Sequence, residues 1–451
     1  MRFDAILVGA GQANPPLAKK LVERGQKVAL VEENLLGGSC VNYGCTPSKT
    51  LIGSAHAIHM ARRGDEYGFH AENVTVDFAR AMQRQRDAVL TSRGGMDKRY
   101  GEMEGLTLIR AHAEFEAPKR MRAGDQVIEA DRIYLDVGAR PNPPDIPGLN
   151  DIPYLTHITL LDLTELPRHL VIVGGGYVGI EYAQVFRRFG SSVTLIQSGD
   201  QILAREDKDI ADSLMKSLKA EGIRILLNAK ISRFEQRGDE AVAYVEGHGK
   251  IVGSHVLVST GVKPNSDRLG LDHAGIETDE RGYIKVDEYL QTNVEGVYAL
   301  GDINGHGAFT HTSYNDYQII AANLDKPTRK VSDRVPTYAV YTDPPLGRVG
   351  MSEKEVRESG KKALKSTLPM KSVARAREFG QTDGFIKVLI DAETDQILGA
   401  AILGLTGDEV IHTFTLAMIT KSPYTVVRDA MFIHPTVNEL LPTMLETVEP
   451  L

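Results

Sequence analysis

The feature that most constrains the fold is a glycine-rich turn, set between a short apolar strand and a helix, that occurs twice. Residues 3–8 read as a strand running into Gly9-Ala10-Gly11-Gln12-Ala13-Asn14, a helical pattern follows through Arg24, and a second strand, residues 27–31, ends in Glu32. Glycines let a backbone approach a pyrophosphate, the helix N-terminus stabilises its charge, and the acid accepts ribose hydroxyls. A lone fingerprint of this kind is weak, but here strand, turn, helix and acid agree, which marks Gly9, Gly11 and Glu32 as nucleotide-binding. Asn14 departs from the pattern by standing at the third glycine, which predicts a helix slightly farther from the strand. Pro15-Pro16 suit a first helical turn. The unit returns downstream, with a strand at 170–173, the turn Gly174-Gly175-Gly176-Tyr177-Val178-Gly179, a helix to about 189 and a strand at 193–196. Two copies imply an α/β chain with two Rossmann-like nucleotide-binding domains, and Gly174, Gly176 and Gly179 as the second set of contacts. Spacing alone does not say which nucleotide each copy takes.

The second constraint is chemical. Cys40 and Cys45 are the only cysteines, in Gly37-Gly38-Ser39-Cys40-Val41-Asn42-Tyr43-Gly44-Cys45-Thr46-Pro47-Ser48-Lys49. On one helical start this spacing puts both sulfurs on one face, within the roughly 4.4 to 6.8 Å between Cα atoms that a disulfide needs. A staple closing so small a loop stabilises little. A metal site needs further ligands at suitable spacing, and no second pair lies nearby. His56 with His59 and His306 with His311 have ligand-like spacing but read as solvated or core histidines.

With the flanking residues included, this segment resembles the redox helix of the flavoprotein disulfide reductases, the pyridine nucleotide-disulfide oxidoreductase family that includes glutathione reductase, dihydrolipoamide dehydrogenase and mercuric reductase. The resemblance runs through the whole chain and, in its tail, is greatest to mercuric reductase-like members. It implies FAD in the first nucleotide domain and a nicotinamide nucleotide in the second. Cys40 becomes the interchange sulfur and Cys45 the charge-transfer sulfur against the flavin, with Gly38 and Ser39 beside the cofactor. Lys49 and Glu181 match the family's ion pair near the flavin, and Tyr177 the tyrosine that gates the nicotinamide pocket.

Ser259-Thr260-Gly261-Val262-Lys263-Pro264-Asn265 matches the family's return crossover, and Thr292 to Asp302 its second FAD fingerprint, a buried strand ending in the acid that binds the ribityl chain. Gly138, in the turn after a strand at 131–137, and Gly261 join the cofactor set. At Asp136 the usual pair is replaced by Asp136-Val137: either a buried acid with a raised pKa or a solvated strand-end carboxylate. Near the C-terminus, His434-Pro435-Thr436-Val437-Asn438-Glu439 matches the family's acid/base motif, in which Glu439 orients the His434 imidazole. By the same resemblance it lies in an interface domain, reaches the cysteines of a second chain and implies an obligate homodimer. After the second strand of the second unit stands Gln197, followed by Arg205 a few residues on. The missing acid favours NADPH over NADH.

These readings give an α/β fold of two Rossmann-like domains for FAD and NAD(P) with a C-terminal α+β dimerisation domain. The expected boundaries are 1–147 and 263–334 for the FAD domain, 148–262 for the NAD(P) domain and 335–451 for the interface domain. The last domain should carry strands at 336–341, 384–390 and 397–403 and helices at 407–419 and 424–430. A length of 451 residues is past the size at which one core divides. A net charge of −8 with no long basic run argues against nucleic acid, and no apolar run reaches a membrane span. Two cysteines in so long a chain suit a catalytic pair in the reducing cytoplasm.

The function implied is an FAD-dependent NAD(P)H oxidoreductase that sends electrons through the Cys40–Cys45 disulfide to a small acceptor, a metal ion such as Hg(II) or Cu(II) or an oxidant such as hypothiocyanous acid. Cys40 would meet the substrate as a thiolate whose pKa nearby positive charge or a helix N-terminus lowers, with His434 assisting. No further cysteines exist for the C-terminal pair by which mercuric reductase proper hands over its metal. Dihydrolipoamide dehydrogenase, or another reductase of a disulfide substrate, is the alternative, with Gln197 against the former. A flavin-bound interaction protein with vestigial catalysis is a third reading, which the intact Cys40, Cys45, His434 and Glu439 set opposes.

Overall fold

Strand β1 (Arg2–Val8) is buried on both faces from Ala5 to Val8, as expected of a central strand in a sheet covered on both sides. Phe3, Ile6 and Val8 enter one core while Ala5 and Leu7 enter another with Leu17 and Leu21 of α1 (Asn14–Val22). The computed structural model describes all 451 residues, which divide into two compact units.

The first unit comprises residues 1–50, 80–143 and 261–334. In its sheet β1 pairs in parallel with β2 (Val28–Val31) and β6 (Gln126–Leu135), and β2 with β3 (Leu106–Ile109). The strands β4 (Ala113–Ala117) and β5 (Arg120–Ala123) extend it through β6, which also takes β16 (Val297–Ala299) in parallel. The crossover segments form a ribbon, β7 (Ala139–Pro141) antiparallel to β15 (Val262–Pro264). The expected strand over 131–137 therefore stops at Leu135, which leaves Asp136 in the turn. The second fingerprint is a strand only at β16, and Asp302 belongs to the 3₁₀ turn Gly301–Asn304.

The second unit comprises residues 51–79, 144–260 and 335–451. It holds a four-stranded parallel sheet, β10 (Arg224–Leu226), β9 (Ser192–Ile196), β8 (His169–Val173) and β14 (His255–Val258), with α5 (Tyr177–Phe189) leaving the glycine turn after β8 and α6 (Lys208–Ala220) between β9 and β10. A three-stranded antiparallel sheet, β11 (Ile231–Arg237), β12 (Glu240–Val245) and β13 (Gly249–Gly253), adjoins it in sequence.

A six-stranded antiparallel sheet follows in the same unit: β17 (Thr337–Val340), β18 (Leu346–Gly350), β21 (Ile397–Leu403), β20 (Phe385–Asp391), β19 (Ala363–Pro369) and β22 (Glu449–Pro450). Three of these strands, β18, β19 and β22, lie outside the sequence expectation. The helix expected at 407–419 is two helices, Gly407–Val410 and His412–Ile419, which share Ile411 as cap. No helix is long and apolar enough to cross a membrane.

Candidate functional site

Glu32, at the end of β2, shows how the first turn is built. Its Oε2 accepts the Ala10 N–H at 2.7 Å and its Oε1 the Asn34 N–H at 2.7 Å. Burial raises its pKa against these backbone donors. The second unit repeats the device with an amide: Gln197 Oε1 accepts the Gly175 N–H at 3.0 Å. The redox segment is bound onto the first turn, since Gly37 N–H donates to Ala10 O at 2.9 Å and Gln12 Nε2 to Gly37 O at 2.9 Å. Gly38 completes the approach, because a Cβ there would lie 2.9 Å from Gly11 Cα.

The cysteines do not share one helix. Cys40 belongs to α2 (Gly38–Asn42), Tyr43 leaves helical geometry at φ −137°, and Cys45 opens α3 (Cys45–Arg62). Buried Asn42 closes the loop by donating to Leu36 O and Gly38 O, both at 3.0 Å. Both cysteines are thiols, Cys45 more exposed than Cys40. A hydrogen bond to Cys45, followed by burial, pushes the Cys40 thiol well above its ordinary range, and the Thr310 hydroxyl works in the opposite direction. The expected lowering of the Cys40 pKa is thus reversed, because its neighbour Cys45 competes for the charge and burial opposes it.

Thr310, the first residue of a helix (Thr310–Ala322), lies with its Oγ1 3.1 Å from Cys45 Sγ. Asp302, mostly buried, is pushed up to about 6 by burial, by Asp316 and by the Cys45 sulfur. Asp316 is fully buried, accepts from Gly301 N at 2.8 Å and Asn304 Nδ2 at 3.0 Å, and pairs with Arg334. Neither Thr310 nor Asp316 stood out in the sequence. The Asp302 fingerprint eight residues upstream was the only available signal for Thr310.

In the second unit, Tyr177 begins α5 and is exposed, while Glu181 one turn on is buried and accepts the Tyr341 N–H at 2.9 Å. Arg205 is exposed. His434 has 77% of its side chain exposed, and its Nδ1 lies 2.6 Å from Glu439 Oε2. Arg375 fixes the segment by donating twice to Pro435 O, at 3.0 and 2.7 Å. Of the other histidines, His56 pairs with Asp343 at 3.0 Å and His311 stacks on Phe309. Lys49 belongs to the first unit and Glu181 to the second.

The residues of the first unit fit a dinucleotide with a flavin end: an acid held at the end of β2, a backbone turn opening α1, and Asp302 beside the sulfurs. A side chain at Gly138, in the crossover after β6, or at Gly176, in the second glycine turn, would meet nothing within 4 Å, whereas one at Gly9 or Gly11 of the first turn would run into Asp136.

Twin nucleotide turns, the first carrying a cysteine pair, define a flavoprotein disulfide reductase. The chain belongs to the pyridine nucleotide-disulphide oxidoreductase family: the family model matches residues 3–317 and the model of its dimerisation domain residues 336–445. The family works with FAD and a pyridine nucleotide. The chain is 35% identical to the probable pyridine nucleotide-disulfide oxidoreductase RclA of Escherichia coli (strain K12), covering 99% of this chain and all of that one. It is 33% identical to the mercuric reductase of Bacillus cereus over 92% of this chain and 67% of the relative. Among solved structures, the Cu(II) complex of the HOCl-induced flavoprotein disulfide reductase RclA from Escherichia coli superposes with a TM-score of 0.91 at 34% identity, covering 99% of each chain.

Proposed function

We propose that this protein is an NADPH-dependent reductase that uses FAD and the Cys40–Cys45 pair to reduce a small acceptor, either a metal ion such as Cu(II) or Hg(II) or a reactive oxidant such as hypothiocyanous acid. The observation that carries the reading is the contact of the two sulfurs with each other and of Cys45 Sγ with Thr310 Oγ1 at 3.1 Å, in the unit that holds the Glu32 turn. The likeness to the HOCl-induced RclA, which has a Cu(II) complex, and to mercuric reductases supports a metal ion or an oxidant as acceptor, and Gln197 in place of an acid supports NADPH. Domain boundaries at 147, 262 and 334 belong to the same proposal.

When bound, FAD supplies a two-electron relay between nicotinamide and disulfide. Glu32 would hold the ribose, Asp302 the ribityl chain and Lys49 the flavin edge; in the second unit Tyr177, with Glu181 one turn on, would cover the nicotinamide pocket. Two electrons and a proton open the disulfide to a Cys40 thiol and a Cys45 thiolate. His434, oriented by Glu439, takes the Cys40 proton, and this help is needed because Cys40 binds its proton tightly within one chain. In the proposed homodimer His434 serves the cysteines of the other chain. With hypothiocyanous acid the Cys40 thiolate takes the sulfenyl sulfur as hydroxide leaves, and attack by Cys45 expels thiocyanate and restores the disulfide; with a metal ion, closing the disulfide delivers two electrons, to one Hg(II) or to two Cu(II).

The test is anaerobic reduction with NADPH or NADH, followed by a panel of Hg(II), Cu(II), hypothiocyanous acid, oxidised glutathione and lipoamide. Cys40→Ser should abolish turnover of every acceptor while flavin bleaching by NADPH persists. Full turnover in that variant overturns the assignment, and efficient NADH-driven lipoamide reduction moves the protein to dihydrolipoamide dehydrogenase.

A further inference from the structure

The two glycine turns are closed in different ways. The first is filled from within. Asn14, wholly buried, donates from Nδ2 to Val8 O at 3.0 Å and to Gly9 O at 2.9 Å, and Asp136, buried rather than solvated, accepts the Ala13 and Asn14 N–H groups at 3.0 and 3.1 Å. The second turn has no room for such a side chain, since a Cβ on Gly179 would lie 2.2 Å from Gly174 O. It is held from outside, by the loop 197–207 between β9 and α6.

At its near end this loop is fastened to the turn itself. Gly175 N–H donates to Gln197 Oε1 at 3.0 Å, and Gly175 O accepts the Leu203 N–H at 2.8 Å. Leu203 takes that place in the left-handed region, at φ +48°, where a bulky side chain is strained and persists only when its surroundings over-determine it. The loop supplies part of that constraint: Gln201 Nε2 donates to Leu203 O at 3.3 Å and to Glu206 O at 2.9 Å, and Glu206 N–H to Leu203 O at 2.7 Å.

The far end is anchored on the six-stranded antiparallel sheet. Glu206 and Asp207 are both buried. Glu206 accepts the Tyr338 hydroxyl of β17, and its Oε2 lies 3.8 Å from Arg348 Nε of β18. Asp207 Oδ2 pairs with Arg348 at 3.2 Å and with Lys387 of β20 at 2.9 Å. Ion pairs so deeply buried stabilise little over apolar side chains of the same volume, but their directionality fixes geometry. Between the two anchors stand only Ala204 and Arg205, both exposed.

We propose that Tyr338 and Arg348 are positioning residues for the nicotinamide nucleotide: through Glu206 and Asp207 they hold the loop that closes the second glycine turn, and so fix Arg205 where it meets a 2′-phosphate. This rests on the reading that the second turn holds NADPH. An arginine on a loose loop loses backbone freedom when it binds a phosphate, and a loop already fixed by the sheet does not. The pyrophosphate end depends instead on the glycine turn, which Gln197 also holds. The brace therefore favours the phosphorylated nucleotide over the unphosphorylated one.

The test is titration calorimetry of the FAD-loaded protein with 2′-phospho-ADP-ribose and with ADP-ribose. Wild type should prefer the phosphorylated fragment. Tyr338→Phe removes one hydroxyl, and Arg348→Lys keeps the charge but loses the fork that faces both acids. In each, the Kd of 2′-phospho-ADP-ribose should rise by about tenfold, the effect of one lost charge-assisted hydrogen bond, while that of ADP-ribose changes less. Trypsin cleavage after Arg205, read by mass spectrometry, should be faster in both variants, because a released loop opens locally more often. The single-hydroxyl change in Tyr338→Phe keeps the test decisive if Arg348→Lys folds poorly. A role confined to stability would lower the unfolding midpoint and leave these readouts alone. Unchanged affinity for the phosphorylated fragment, an equal loss for both fragments, or a cut at Arg205 no faster than in wild type overturns the proposal. Wild type that binds neither fragment, or both alike, overturns instead the reading on which it rests.

Discussion

Thr310 places its hydroxyl 3.1 Å from Cys45 Sγ and favours the charged form of Cys40. Replacing it with valine removes that donor while keeping the volume. The Cys40 pKa should rise further, and alkylation of the reduced protein by iodoacetamide at neutral pH should slow by about tenfold, the effect of one lost charge-assisted hydrogen bond. An unchanged rate would mean that the hydroxyl serves only Cys45. The contacts between the cysteines, of Glu32 with the first turn and of His434 with Glu439 were legible because they join residues of telling type at short or patterned spacing. Thr310 was not, since 265 residues separate it from Cys45 and only packing brings them together. Asp136 was half legible: the sequence placed it near the end of a strand, but whether a carboxyl there turns outward or under a neighbouring loop depends on what packs against it.

Among the elements, β20 carries a residue that pattern reading assigns to solvent. Lys387 is 1% exposed, with Nζ 2.9 Å from Asp207, 2.8 Å from Asp209 and 3.1 Å from Glu353. Arg348 of β18 adds a second cation to Asp207 at 3.2 Å. Asp207 and Asp209 stand at the start of α6 and Glu353 opens the helix Glu353–Glu358, so the acids also face helix N-termini. Lys387→Met keeps the stem but leaves these carboxylates short of a cation, and urea unfolding should show a loss of about 3 kcal/mol or more. A neutral or stabilising result would show that the acids are satisfied without it. Strands β20 and β21 were readable from their runs of Ile, Val and Leu. Strands β18 and β19 were not, because Leu346–Gly350 contains two glycines and Ala363–Pro369 mixes lysine, serine, threonine and proline, so their pairing comes from their neighbours in the sheet rather than from propensity.

For the whole molecule, the proposed homodimer makes a prediction that no single-chain mechanism shares. Met431 is 99% and Ile433 78% exposed beside an equally open His434, in the region matched by the dimerisation-domain model. Cys40→Ser and His434→Ala should each be inactive alone. Unfolded together and refolded at equal amounts, they should recover about a quarter of wild-type turnover, because half of the dimers are mixed and each of those has one complete site. No recovery in demonstrably mixed dimers would place His434 at the cysteines of its own chain. The sequence by itself determined the two strand–turn–helix repeats, the nearness of the two cysteines and the placing of the dimerisation domain after the reductase domain, since each depends on contacts a few residues apart or on a repeated local pattern. Tertiary structure alone decided that Asp136 is buried under the turn from which α1 leaves, and which hydroxyl meets Cys45. Those outcomes depend on desolvation and on partners more than 100 residues away in the chain, where a linear pattern carries no information about distance.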